Sequence, residues 1–104
     1  MLEYYSRDGR QIAMKEWAAN FQEDRRVHLN ILSDGTEVST VFLGFNHQHG
    51  EGPPLIFETK VFSAEGGGGN ILDMDRYSTE EEAIEGHLQM MSKWEKKLQD
   101  DRNM

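Results

Sequence analysis

Between Arg26 and Leu32 apolar and polar residues alternate, with Val27, Leu29 and Ile31 set against His28 and Asn30. A period of two predicts a half-buried strand whose apolar face carries the three aliphatic residues. Ser33-Asp34-Gly35-Thr36 follows. Asp-Gly accepts positive φ, so the chain is predicted to turn back as a hairpin. Glu37 to Phe45, rich in β-branched and aromatic residues, is the return strand. Leu55 to Phe62 reads as a third strand, begun after Pro53-Pro54, which cannot extend a ladder. Ile71 to Asp75 reads as a short fourth strand.

Two segments carry a helical period instead. Met14, Trp17, Ala18 and Phe21 fall at i, i+3, i+4 and i+7, which predicts a short helix from Met14 to about Gln22. Its start is weakly specified, because Ala13 is a poor cap. The second helix begins at a capping box, Ser78-Thr79-Glu80-Glu81, with Ser78 paired to Glu81. Ala83, Ile84, His87, Leu88, Met91, Trp94 and Leu98 form its apolar stripe. A helix of about 20 residues is ~30 Å long and crosses a whole sheet. Glu80, Glu81, Glu82 and Glu85 crowd its positive end, while Lys93, Lys96 and Lys97 lie toward its negative end. Gly86 interrupts the helix at a cost of up to ~1 kcal/mol relative to alanine. Close approach of another backbone or of an aromatic side chain would compensate it.

The rest is connection. Residues 1–12 read as an extended lead-in with a turn at Asp8-Gly9, Gly66 to Gly69 as a flexible loop, and 99–104 as a frayed tail. The fold predicted is α+β: an antiparallel sheet of three to four strands, ordered α-β-β-β-(β)-α, with helices on one face. A chain of 104 residues is a single domain able to build one core.

Composition narrows the chemistry. Without cysteine, the chain has no disulfide, thiolate metal site or cysteine nucleophile. No apolar run approaches the ~20 residues of a membrane span, and the first ten residues lack the apolar core of a signal peptide. A cytoplasmic location is therefore expected. A net charge of −8 argues against direct contact with nucleic acid or an anionic membrane, both of which require clustered Lys and Arg. The same charge steers the chain toward a basic partner, or only keeps it soluble.

The loop from His47 to Pro54 concentrates the candidate site residues. His47 and His49 stand as H-x-H, but nothing at metal-ligand spacing completes a zinc set, so no metal and no cofactor are expected. The glycines there match no phosphate loop, because the loop contains no lysine and no helix follows it. No serine sits in a nucleophile elbow. His87, on the apolar stripe, reads as a hydrogen-bonded core residue. An acid–base pair becomes conceivable where His47, Glu58 and His87 converge. Arg76 and Tyr77 precede the last helix, with Tyr77 placed as a hydrophobic staple and Arg76 beside the acidic first turn.

These segments resemble a known family. Asp8-Gly9, Glu16-Trp17, V-S-T-V-x-L-G from Val38 to Gly44, H-x-x-G-x-G-P-P-L-I-F-E-T-x-V-F from His47 to Phe62, and R-Y-x-T-x-x-E-A-x-x-G-H from Arg76 to His87 are similar to small uncharacterised proteins of tailed bacteriophages and prophages. Ala13 stands where that family usually has Ser or Thr. The resemblance implies a phage origin and no particular activity. Small acidic phage proteins often bind host machinery, and inhibitors of host defence such as anti-CRISPR proteins are one class. The leading expectation is thus a non-enzymatic protein that binds a basic or nucleic-acid-binding host or phage protein. Asp73, Asp75, Glu80, Glu81, Glu82 and Glu85 are its candidate acidic surface. One alternative is a small-ligand or nucleotide-binding protein using the 47–54 loop with Glu58, Arg76, Tyr77 and His87. Another is a small enzyme with a His/Glu pair. A homodimer through an exposed sheet edge is compatible with each.

Overall fold

The computed structural model describes residues 3–20, 25–47, 50–64 and 69–102. The chain runs β1 (Tyr4–Tyr5), β2 (Gln11–Ile12), α1 (Met14–Asn20), β3 (Arg26–Ile31), β4 (Glu37–Phe42), β5 (Phe57–Phe62), β6 (Ile71–Tyr77) and α2 (Glu80–Arg102). It is an α+β fold. Strands β3 to β6 form one antiparallel meander in sequence order, and β1 and β2 form a separate hairpin. The α2 helix lies across one face of the four-stranded sheet, burying Ala83, His87 and Met90.

The predicted turns form where the residues demand them. At Gly35 φ is 94°, and the Asp34 carboxylate accepts from the Thr36 amide at 2.8 Å and from its hydroxyl at 2.9 Å. At Gly9 φ is 91°, and the turn makes a true hairpin of the expected lead-in, joining β1 to β2. That hairpin is tied down by the Tyr5 amide donating to the Gly44 carbonyl at 2.8 Å.

Several boundaries and one helix face differ from expectation: β4 stops at Phe42 rather than Phe45, and β5 starts at Phe57 rather than Leu55. The α2 cap is Thr79, not Ser78. The Thr79 hydroxyl accepts from the Glu82 amide, and the Glu82 carboxylate accepts from the Thr79 amide, each at 3.1 Å. The helix has 23 residues and includes 99–102, continuing to Arg102. The fourth strand extends to Tyr77. The short α1 buries no residue, and Met14 is 62% exposed. It packs on the N-terminal hairpin rather than on the main sheet, through Trp17 beside Tyr4 and Phe45, at ring separations of 4.9 and 6.0 Å. Phe21 and Gln22 lie outside the described residues.

The core forms two groups under α2. Tyr5, Ile56, Phe57 and Ala83 make one, and Leu32, Val38, Val61 and Met90 the other. Ile84 and Leu88, assigned to the apolar stripe from sequence, are 37% and 55% exposed, and Met90 takes the inward position. Between the two groups lies a polar seam.

Candidate functional site

The seam is built around His87. Thr40 on β4 and Thr59 on β5 are register partners, so both side chains rise on the same face, toward α2. Their hydroxyl oxygens lie 2.5 Å apart, and the Thr40 oxygen is 2.7 Å from His87 Nδ1. His87 Nε2 is 2.9 Å from the Asn30 side-chain oxygen on β3. An amide oxygen only accepts, so Nε2 carries the proton and Nδ1 accepts from Thr40. Thr59 in turn donates to Thr40. Every polar atom of the imidazole is satisfied, as a buried polar group requires. Burial holds the His87 pKa below its ordinary 6.5, helped by the His28 ring. The two ring centroids lie 5.1 Å apart. With 0% exposure and both nitrogens engaged, His87 is a neutral structural group to which no substrate has access.

Glu58 faces the other way. Its neighbour Thr59 points at α2, and alternation sends Glu58 to the open side of the sheet. There Arg76 Nε lies 3.0 Å from Glu58 Oε2 and Lys60 Nζ 3.5 Å from Oε1. Glu58 and His87 therefore lie on opposite faces and do not form the conceivable acid–base pair. His47 is elsewhere again, its ring 4.5 Å from that of Phe45 in the aromatic group around Trp17. Gly44 (φ 81°) makes room for that group: a Cβ there would fall 2.2 Å from Trp17 Nε1. The loop is closed at its base by the His47 amide donating to the Leu55 carbonyl and the Leu55 amide donating to the Asn46 side chain, each at 3.0 Å. His49 lies outside the described residues. Among the described residues no group of three His, Asp or Glu is placed to hold a metal ion.

Tyr77, two residues before the cap, packs against the core group that contains Ala83 at the start of α2. Its ring lies on α2 at Gly86, where a Cβ would fall 2.2 Å from Tyr77 Cε1. The aromatic approach expected at Gly86 is thus present. The Tyr77 hydroxyl is buried beside Gly86 without a hydrogen bond of proper geometry, and burial raises its pKa.

The acidic residues serve several separate ends. The Asp73 carboxylate takes Lys93 Nζ at 2.7 Å and Trp94 Nε1 at 3.0 Å. The bond from Lys93 holds its pKa below the carboxylate range. Asp73 and Asp75 also accept from the amides of Met74 and Arg76, each at 2.9 Å. Glu80 pairs with Arg7 of the N-terminal hairpin, and Glu82 completes the cap. Glu81 and Glu85 stand exposed on α2.

The feature that sequence reading missed is the open face. Register partners arrange it in three rows: Ile31, Glu37, Phe62 and Ile71; Leu29, Ser39, Lys60 and Met74; Arg26, Val41, Glu58 and Arg76. Ile31 is 60% exposed, Ile71 55%, Met74 45%, Leu29 43% and Leu72 42%. The alternation in β3 is real, but its aliphatic side points away from α2. The signal that could have found this is the histidine on the helix stripe, which needs a polar partner such as Asn30 opposite it. Comparison with known proteins adds no further constraint: no family model, curated protein or solved structure matches the chain.

Proposed function

We propose that this chain is a non-enzymatic binding protein, a phage-encoded accessory factor that occupies a host or phage protein, and specifically an inhibitor of a bacterial defence system. The open sheet face carries the binding reading. An antiparallel sheet that shows one face to water normally makes that face polar. Here five large aliphatic or methionine side chains stand exposed on it or at its border. They line its two outer strands, β3 and β6, and large apolar side chains left exposed together on one sheet face mark an interaction surface. A catalyst is less well supported, because Glu58 and His87 lie on opposite faces and His47 belongs to a third location. The ligand reading weakens in the same way, since Glu58, Arg76, Tyr77 and His87 do not converge on the 47–54 loop. The phage origin and the defence target rest on the motif resemblance and on the charge of −8.

The test is capture of partners from a bacterial lysate by the tagged protein, at low and high salt. Wild type is compared with Ile31→Lys and with the double variant Glu81→Lys, Glu85→Lys. We expect one stoichiometric protein partner. Loss in high salt and in the double variant assigns the contact to the acidic helix. Loss in Ile31→Lys alone assigns it to the open face. Equal recovery by all three proteins, or none by any of them, overturns the reading.

A further inference from the structure

We infer that His87, Thr40, Thr59 and Tyr77 form one reversible chain of hydrogen bonds, a proton-responsive switch sealed beneath α2 in which the Tyr77 hydroxyl is the end acceptor. The switch stands apart from the binding reading. It gives a role to the Tyr77 hydroxyl, which is buried without a hydrogen bond of proper geometry.

In the neutral state the donors run one way. Thr59 donates to Thr40 at 2.5 Å and Thr40 to His87 Nδ1 at 2.7 Å, while the proton on Nε2 goes to Asn30 at 2.9 Å. A hydroxyl has a single proton to donate, so Thr59 uses its own on Thr40 and has none for Tyr77. The Tyr77 hydroxyl lies beside Thr59, near enough for that hydroxyl to offset part of the effect of burial on it. Its ring rests on Gly86, the residue next to His87. The chain therefore runs from α2 through β4 and β5 to β6, and ends against the same turn of α2.

Protonation of His87 reverses that order. One proton is taken from solvent, one N–H bond forms at Nδ1, and no other covalent bond changes. An imidazolium has two donors and no acceptor, so Thr40 must accept from it. Thr40 then turns its own proton to Thr59, and Thr59 turns its proton to Tyr77. Each of these steps is a rotation about a C–O bond. Without an acceptor beyond Thr59, the reversal would leave a buried donor unpaired, which protein interiors seldom tolerate. The lone pairs of the Tyr77 hydroxyl supply that acceptor. A charged donor at the head of the chain also strengthens the bonds that follow it.

The charged groups around the seam set where the switch acts. From β3 the His28 ring, 5.1 Å from that of His87, opposes a second charge. From β6 Asp75, register partner of Thr59, stands on the same side and favours it. Asp73 is engaged by Lys93 and Trp94 of α2. On β5 Glu58 and Lys60 pair on the open side, and β4 sends only uncharged Val38 and Thr40 toward the helix among the described residues. Along α2 itself Glu80 pairs with Arg7, Glu82 caps the helix, and Glu81 and Glu85 are exposed. Burial and His28 together keep the proton off His87 at neutral pH, so the chain reverses in acid.

The test is a pH titration of the full chain by nuclear magnetic resonance, following the His87 ring nitrogens and Tyr77 Cζ together. The expected result is a Tyr77 transition at the His87 midpoint while the amide spectrum stays that of the folded protein. His87→Gln should abolish that transition, which separates His87 from Asp75 as its cause. Tyr77→Phe keeps the ring and removes only the acceptor. It should lower the ratio of protonated to neutral His87 at a given acid pH about tenfold, a shift of one unit in its midpoint. A ring that serves only to pack against Gly86 would leave that midpoint where it was. A His87 midpoint unmoved by Tyr77→Phe overturns the switch. So does a Tyr77 signal that stays flat through the His87 titration, or unfolding before His87 takes up its proton.

Discussion

Replacing Gly86 by alanine sets two effects against each other, and the structure decides the sign. In an exposed helix interior the change stabilises by about 0.8–1.0 kcal/mol, because alanine loses less backbone entropy. In this protein the new Cβ would lie 2.2 Å from Tyr77 Cε1 and 2.3 Å from both Cζ and the hydroxyl oxygen. No Cβ sits that close to a ring, so either Tyr77 leaves its site or α2 lifts from the sheet. Overpacking of this kind costs about 1–3 kcal/mol, and the ring cannot withdraw without losing contacts with Ile56, Phe57 and Ala83. Net destabilisation of about 1–2 kcal/mol follows, a sizeable share of the roughly 5–15 kcal/mol of a small domain. The assay is urea unfolding followed by far-ultraviolet circular dichroism, with the slope checked for constancy so that the midpoint reports stability. The double-mutant cycle makes the test stringent. In a Tyr77→Ala background the obstructing ring is gone, and Gly86→Ala should then stabilise by nearly the full helix-propensity gain. A sign reversal between backgrounds is the signature of the contact. If Gly86→Ala raises the midpoint in the wild type, Tyr77 does not occupy the site, and the account of this glycine is wrong.

Other expectations follow from the same geometry. Thr79→Ala should cost about 1 kcal/mol through loss of the cap, while Ser78→Ala stays within about 0.5 kcal/mol; the reverse pattern in thermal melts would place the cap where the sequence alone suggested. Stability should fall as pH drops below about 6.5, because the unfolded chain protonates His87 before the folded one does; the loss begins at the unfolded pKa of 6.5 and ends at the lowered folded value. His87→Gln should flatten that dependence in chemical denaturation at stepped pH. Arg76→Leu should lower stability by about 1–2 kcal/mol, since buried Glu58 keeps only Lys60 at 3.5 Å, whereas adding Glu58→Leu restores most of the loss; an unchanged midpoint for Arg76→Leu would show that the pair contributes nothing.

Much of the architecture was legible from local signals. The Asp34-Gly35 and Asp8-Gly9 turns form because only glycine takes the positive φ cheaply. The long helix announces itself through its period and acidic start, and its cap was misplaced by one residue because Ser78 and Thr79 both satisfy the rule with a glutamate three residues on. Element type survived, but orientation did not. Nothing local says which side of β3 meets the helix. Alternation fixes only that two sides differ, and the usual assumption that the aliphatic side turns inward fails here. The bulge between Arg26 and His28 added to this by turning Val27 and His28 to the same side, so that Val27 alone of the three aliphatics packs against the core. Convergence of His47, Glu58 and His87 was unreadable for a related reason: one residue of register separates Glu58 from the face that His87 occupies.

The inverted strand ties the core to the proposed function. His87 lies on α2 directly over the sheet, where an apolar surface would leave two ring nitrogens without partners, a cost of roughly 1–3 kcal/mol for each orphaned group. Asn30, Thr40 and Thr59 supply partners instead, and each must point toward α2 to do so. In β3 that requirement has a consequence. A period of two makes the positions flanking Asn30 point away, and those positions are Leu29 and Ile31. Sliding β3 by one residue would bury both aliphatics, yet it would strand His87 and turn Asn30 to solvent. The seam thus locks the register that exposes both aliphatics. If this coupling holds, Asn30→Leu together with His87→Leu should remove the lock. Amide exchange should then quicken in β3 and partner capture through the open face should weaken, although neither substituted residue lies on that face. Retention of both slow exchange and capture would separate the seam from the surface and leave the exposed aliphatics without a structural cause.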